Sequence, residues 1–221
     1  MQTPMIDYLA VLLESCGEDA GEVASYIPEL AQADPDRLAI AVATLDGEVY
    51  VAGDADVEFT IQSISKPFTY ALAIADQGLD GVLERIDVEP SGDAFNEISL
   101  EPETGRPRNP MINAGALAAH ALVRGDDADA RTERVLDLYS RLAGRELSIA
   151  EDVFESELSA SDRNMALAYM LRTVGILDAD PADVVRGYTR QCSVSVTVRD
   201  LARMGSVLAA GGRTPDGEQE I

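Results

Sequence analysis

Tryptophan is absent from this 221-residue sequence, histidine and lysine occur once each, and cysteine occurs twice. With His120 as the only histidine, a histidine-based metal site or a Ser-His-Asp triad has little to be built from. His120 follows an alanine run and reads as a helix position near the surface. Cys16 and Cys192 lie far apart and match no metal-ligand spacing. They read as reduced thiols packed as small hydrophobes, and nothing implies a metal or organic cofactor. No apolar run approaches the roughly 18 residues that a membrane span needs. Met1–Met5 carry no basic stretch of the kind that opens an export signal. The expectation is a cytoplasmic protein of one or two packed units sharing a sizeable core.

Positive charge is also scarce. The chain carries 17 basic against 40 acidic residues, a net charge of −23. That balance argues against nucleic acid and anionic membrane as partners. The acids are spread along the chain, as on a solvated acidic surface; adaptation to high salt is the alternative reading. All but one of the basic residues are arginine, and the exception is Lys66. Arginine is effectively always protonated, whereas a buried lysine can lose its proton near neutral pH and serve as a base. Lys66 therefore stands where chemistry can refuse arginine.

Apolar spacing predicts a helix over 5–15 with Gly17 as its stop, and a second over 19–32 broken by Asp34-Pro35. LAIAVATL (38–45) and EVYVAG (48–53), joined by Asp46-Gly47, read as a hairpin. A helix is expected from Ser63 to residue 77, with Pro67 tolerable only in its first turn. A proline- and glycine-rich loop follows over 87–112. Helices are then expected over 113–124, 131–143, 148–156, 161–175 and from Asp180-Pro181 to about Tyr188. SVSVTV (193–198) alternates like a strand, but Thr197-Val198-Arg199-Asp200 has the form of an acidic capping box. A helix over 198–210 closed by Gly211-Gly212 is favoured. No further strand is expected after the hairpin.

Ser63-Ile64-Ser65-Lys66 places an S-x-x-K sequence at a helix start directly after the hairpin. Residues three apart share a helix face, so Ser63 and Lys66 can meet. The positive end of the helix dipole disfavours a charged amine and favours negative charge developing on the serine oxygen. A desolvated lysine can then take the serine proton, producing a nucleophile for acyl transfer. The penicillin-recognising enzymes combine this element with S-D-N and K-T-G. Ser161-Asp162-Arg163-Asn164 is not S-D-N, and no second lysine exists to form K-T-G.

FTIQSISKPFTYALAIAD (59–76), EPSGDAFN (89–96), RNPMINAGAL (108–117), ESELSASDRNMALAYML (155–171) and GYTRQCSVSVT (187–197), with SYIPEL (25–30), together resemble the serine-dependent glutaminases of the β-lactamase-like superfamily. The resemblance covers nearly the whole chain, in order. It implies hydrolysis of L-glutamine to L-glutamate and ammonia, with Ser63 as nucleophile and Lys66 as its base. It also implies Asn113, Glu157, Asn164 and Tyr188 as substrate-binding residues, with Tyr26 lining the same pocket. These residue types suit a free amino acid: an acid such as Glu157 can meet its ammonium group, and Asn113, Asn164 and Tyr188 can donate to its carboxylate. Asn113 can equally be a helix cap, Glu157 a surface acid and Tyr188 a core aromatic. The family's habit of forming homo-oligomers gives the expectation of one here.

The resemblance implies an α/β (α+β) chain of the β-lactamase/DD-peptidase-like fold: one catalytic domain over 1–221, with a hairpin subdomain over 35–62 and a mostly helical part over 63–212. Family members continue past the segment matching GGRTPDG (211–217). The expectation is therefore a domain lacking its C-terminal strands, a second catalytic tyrosine and one oxyanion-hole donor. Two further readings stay open: an inactive remnant that only binds or associates, and another S-x-x-K acylase such as a β-lactamase or peptidase.

Overall fold

Asp46-Gly47 turns the chain back on itself because Gly47 adopts φ +93°, a conformation most side chains avoid. In the computed structural model, which describes residues 4–16, 21–90, 92, 94, 97 and 99–221, this turn joins β1 (Ala39–Ala43) to β2 (Val49–Gly53). The two strands pair antiparallel with Ala41 opposite Val51. Before them come α1 (Pro4–Ser15) and the single turn α2 (Pro28–Ala31); after them come β3 (Phe59–Thr60) and a 3-10 turn, Gln62–Ser65. The helices α3 (Lys66–Leu83), α4 (Asn113–Leu122), α5 (Ala128–Ala143), α6 (Glu151–Ser159), α7 (Asp162–Thr173) and α8 (Pro181–Cys192) follow. The chain closes with β4 (Ser195–Val196) and α9 (Val198–Ala209).

Two compact units are interleaved along the chain. The first holds residues 1–60, 139–148 and 195–221; the second holds 61–138 and 149–194. In the first, α1 lies on β2 and α9 on β1, so helices flank the hairpin. Buried Leu9, Met204 and Val207 supply apolar surface from the two helices. Thr197 and Asp200 form the expected capping box at the start of α9. The buried Asp200 carboxylate also accepts from Arg145 at 2.7 Å. Burial pulls the Asp200 carboxyl upward, but hydrogen bonds from Arg145 and Thr197 outweigh it and hold the group below its usual range.

The second unit packs α3, α7 and α8 around α4. A helix as alanine-rich as α4 lets its neighbours approach closely, and Ala114, Ala116 and Leu117 are buried within the core. Gly78 (φ +76°) interrupts the regular path of α3.

Most expected helices are present, and four expectations change. The helix expected over 19–32 shrinks to Pro28–Ala31 because Ile27, just before a proline, is extended (φ −130°, ψ 152°). Two strands appear where none was expected after the hairpin: Phe59 and Thr60 pair with Val196 and Ser195, so the alternation of SVSVTV does mark a short strand ahead of the helix, while two residues at Phe59–Thr60 are too few to show alternation. His120 is not near the surface; it is 1% exposed, on the buried side of α4. Of the two thiols, Cys192 is buried as expected, while Cys16 is exposed. Gly17, residues 19–20 of the expected second helix, and residues 91, 93, 95, 96 and 98 of the expected loop lie outside the described residues.

Candidate active site

Ser63 stands on the 3-10 turn and Lys66 at the first position of α3, and the Lys66 backbone N–H donates to the Ser63 carbonyl. Pro67 falls within the first turn of α3, where a missing N–H costs little. Within this tight turn the side chains alternate in exposure: Ser63 and Ile64 face solvent, while Ser65 and Lys66 are buried. Gln62, immediately before Ser63, takes φ +49° and is the one described non-glycine residue with a positive φ. Such a conformation persists only where the surroundings hold it, and it is commonest at functional turns.

Lys66 is 3% exposed. Burial pulls its pKa below the ordinary 10.5, with the nearby Cys192 sulfur acting in the opposite direction. Nζ donates to Asn113 Oδ1 at 2.8 Å, and Asn113 Nδ2 donates to Asn164 Oδ1 at 3.1 Å. Asn113 is not the cap of α4: the cap position is Ile112, and the Asn109 side chain accepts from the Met111 and Ile112 N–H groups instead. That arrangement leaves the Asn113 amide to serve Lys66. Asn164 reaches it from the first turn of α7.

Glu157, in the last turn of α6, accepts from Gln62 Nε2 at 3.1 Å. Tyr188, on α8, is buried and hydrogen-bonds to the thiol of Cys192 one turn later. Burial pushes that thiol up to about 11, against the pull of hydrogen bonds from Tyr188 and Ser65 and of the Lys66 charge; Glu157 adds to the upward push. Cys192 is therefore a neutral thiol seated among the side chains of the site.

Six of the seven residues marked out by the sequence, Ser63, Lys66, Asn113, Glu157, Asn164 and Tyr188, belong to the second unit. Hydrogen bonds join Lys66, Asn113 and Asn164 directly. Tyr26 belongs to the first unit and is 60% exposed. Sequence reasoning missed Gln62 and the placement of Cys192. Gln62 was findable only as the neighbour of Ser63, since nothing in a glutamine announces a left-handed backbone. Among the described residues, no group of three or more His, Cys, Asp or Glu side chains is arranged to hold a metal ion. Nor is any described helix long and apolar enough to cross a membrane. An exposed hydroxyl, a buried amine one turn away, two linked amides and a carboxylate make a set suited to nucleophilic acyl transfer on a small polar substrate.

Residues 21–221 match the family model described as Glutaminase. The glutaminase of Corynebacterium efficiens is 51% identical over 96% of this chain and 51% of its own length. That of Corynebacterium glutamicum is 50% identical over 96% of this chain and 52% of its own length. The crystal structure of Mglu in its glutamate form superposes with a TM-score of 0.94 at 52% identity, covering 100% of this chain and 52% of that one. The chain thus spans about half the length of the curated relatives it matches.

Proposed function

The chain belongs to the glutaminase family, and on that footing we propose that it hydrolyses L-glutamine to L-glutamate and ammonia through an acyl-enzyme on Ser63. Ser63 Oγ attacks the side-chain carboxamide carbon while Lys66 Nζ takes the hydroxyl proton. Lys66 returns that proton to the leaving nitrogen, and ammonia departs, leaving a glutamyl ester. Water, deprotonated by Lys66, then cleaves the ester and frees both glutamate and Ser63. The N–H of Ser63 supplies one donor for the oxyanion. Glu157 meets the substrate ammonium; Asn113, Asn164 and Tyr188 meet the carboxylate, and Tyr26 lines the pocket. Polar groups set out in this way reject ligands that leave them unpaired.

The observation that carries this reading is Lys66: the only lysine in the sequence, buried, with its pKa drawn down, one turn from an exposed serine. The test is ammonia release from glutamine by the unaltered protein and by Ser63→Ala. The unaltered protein should release ammonia and the variant should not; equal turnover by the two would sink the mechanism. The same reading extends to a cytoplasmic homo-oligomer that binds neither nucleic acid nor membrane, checked by sedimentation and fractionation.

A further inference from the structure

Three polar side chains that the chemistry above leaves unused form a chain in the core of the second unit. His120 Nδ1 lies 3.1 Å from Gln191 Oε1, and Gln191 Nε2 donates to Ser65 Oγ at 3.0 Å. All three residues are buried. An amide oxygen has only lone pairs, so the proton in the first bond belongs to Nδ1. The imidazole is then the Nδ1–H tautomer, and its buried Nε2 has no hydrogen-bond partner among the described residues. Burial keeps this ring neutral, with a pKa of about 4. Donation therefore runs one way, from His120 to Gln191 to Ser65. One turn before Gln191, Gly187 makes room for the ring, since a Cβ there would run into His120 Nε2.

Stability alone does not call for this arrangement, because apolar groups of the same shape can replace both partners of a buried hydrogen bond at little cost. Its place in the fold gives it another use. Ser65 is the buried side chain lying between Ser63 and Lys66 in sequence. The turn begins at Gln62, whose φ of +49° must be held by its surroundings. Residues 191–194 grip that turn at both ends: Ile61 N–H donates to the Val194 carbonyl at 2.8 Å, and Gln191 donates to Ser65. Proton transfer from Ser63 to Lys66 depends on their relative placement, and small displacements of such pairs cost large factors in rate.

We infer that the buried chain His120–Gln191–Ser65 sets the geometry of the turn bearing Ser63 and Lys66, making Gln191 a positioning residue for acyl transfer at Ser63; this rests on the hydrolytic reading of that turn. Gln191 touches no reacting atom and acts through Ser65.

The experiment compares the unaltered protein with Gln191→Met, Ser65→Ala and the double variant. Two readouts are taken: steady-state ammonia release from glutamine, and the rate at which an alkyl fluorophosphonate modifies Ser63, followed by mass spectrometry. Gln191→Met and Ser65→Ala should each lower both kcat and the modification rate by about tenfold or more, with KM changed less than about threefold. The double variant should be no slower than the slower single one, since both changes remove the same connection. Should Gln191→Met fail to fold, Ser65→Ala, which removes one oxygen, decides the matter. Rates within twofold of the unaltered protein, losses confined to KM, or losses that multiply in the double variant would overturn the inference. So would failure of the reagent to modify Ser63 in the unaltered protein. Ser63 modification that responds as expected in a protein releasing no ammonia would leave the positioning role standing and remove the hydrolytic reading. Ammonia release with modification rates unmoved by the substitutions would do the reverse.

Discussion

Lys66 Nζ donates to Asn113 Oδ1 at 2.8 Å, and this bond is compatible with a base only if the amine keeps its lone pair for Ser63. Burial favours that condition by drawing the lysine pKa down from its ordinary value. Lys66→Arg should therefore be nearly as damaging as Lys66→Ala, each lowering kcat by about a hundredfold or more. Arginine keeps the charge but cannot give up its proton. Steady-state kinetics of both variants decide this, and an arginine variant with most of its turnover would make Lys66 an electrostatic residue. The sign of the pH effect follows from the same shift: the neutral amine gains population as pH rises through a pKa below 10.5, so kcat/KM climbs along a limb that lies below that value.

His120 should make the fold acid-sensitive. Its folded pKa of about 4 is depressed from 6.5, so between those values the unfolded chain binds a proton that the folded chain refuses. The stability that neutral His120 provides is whole above pH 6.5 and drains away as pH falls toward 4, roughly 3 kcal/mol in all. His120→Gln lacks this linkage. Denaturant melts at several pH values should show the variant less stable at pH 7 and the gap closing toward pH 4.5. Parallel curves would show that His120 is not held neutral.

Asp200→Ala should destabilise the first unit by about 2 kcal/mol, because it removes the reciprocal half of a capping box and the buried partner of Arg145. The carboxyl pKa is depressed below 3.8, so this contribution is present above that value and is lost as pH falls through the folded pKa. Thermal melts at pH 7 measure the difference. A change under about 0.5 kcal/mol would mean that the cap and the ion pair are redundant.

These effects differ in how readable they were from sequence. Asp46-Gly47 and Thr197–Asp200 are local signals, and the hairpin and the start of α9 stand where those residues put them, whereas the helix expected from Ser63 begins at Lys66 behind a 3-10 turn. The pairing of β3 with β4 was not legible, because its partners are far apart in sequence, Phe59 against Val196 (137 positions) and Thr60 against Ser195 (135), and each strand is two residues long. Ser63 and Lys66 share one turn and could be linked by spacing alone. Asn113 and Asn164 come together only through the packing of α4 against α7, and the family resemblance, not any spacing, singled them out. Gln191 and His120 gave no signal, since a buried amide looks in sequence like any surface glutamine.

Gln62 sets the fold's thermodynamic interest against its chemistry. A left-handed glutamine costs about 1–3 kcal/mol that glycine would not incur. Gln62→Gly should therefore raise the melting temperature, yet it also deletes the donor to Glu157 and lets the turn before Ser63 relax into other shapes. A screen for thermostability would select this substitution and a screen for turnover would discard it, so position 62 is where optimising this chain for endurance would quietly disarm it.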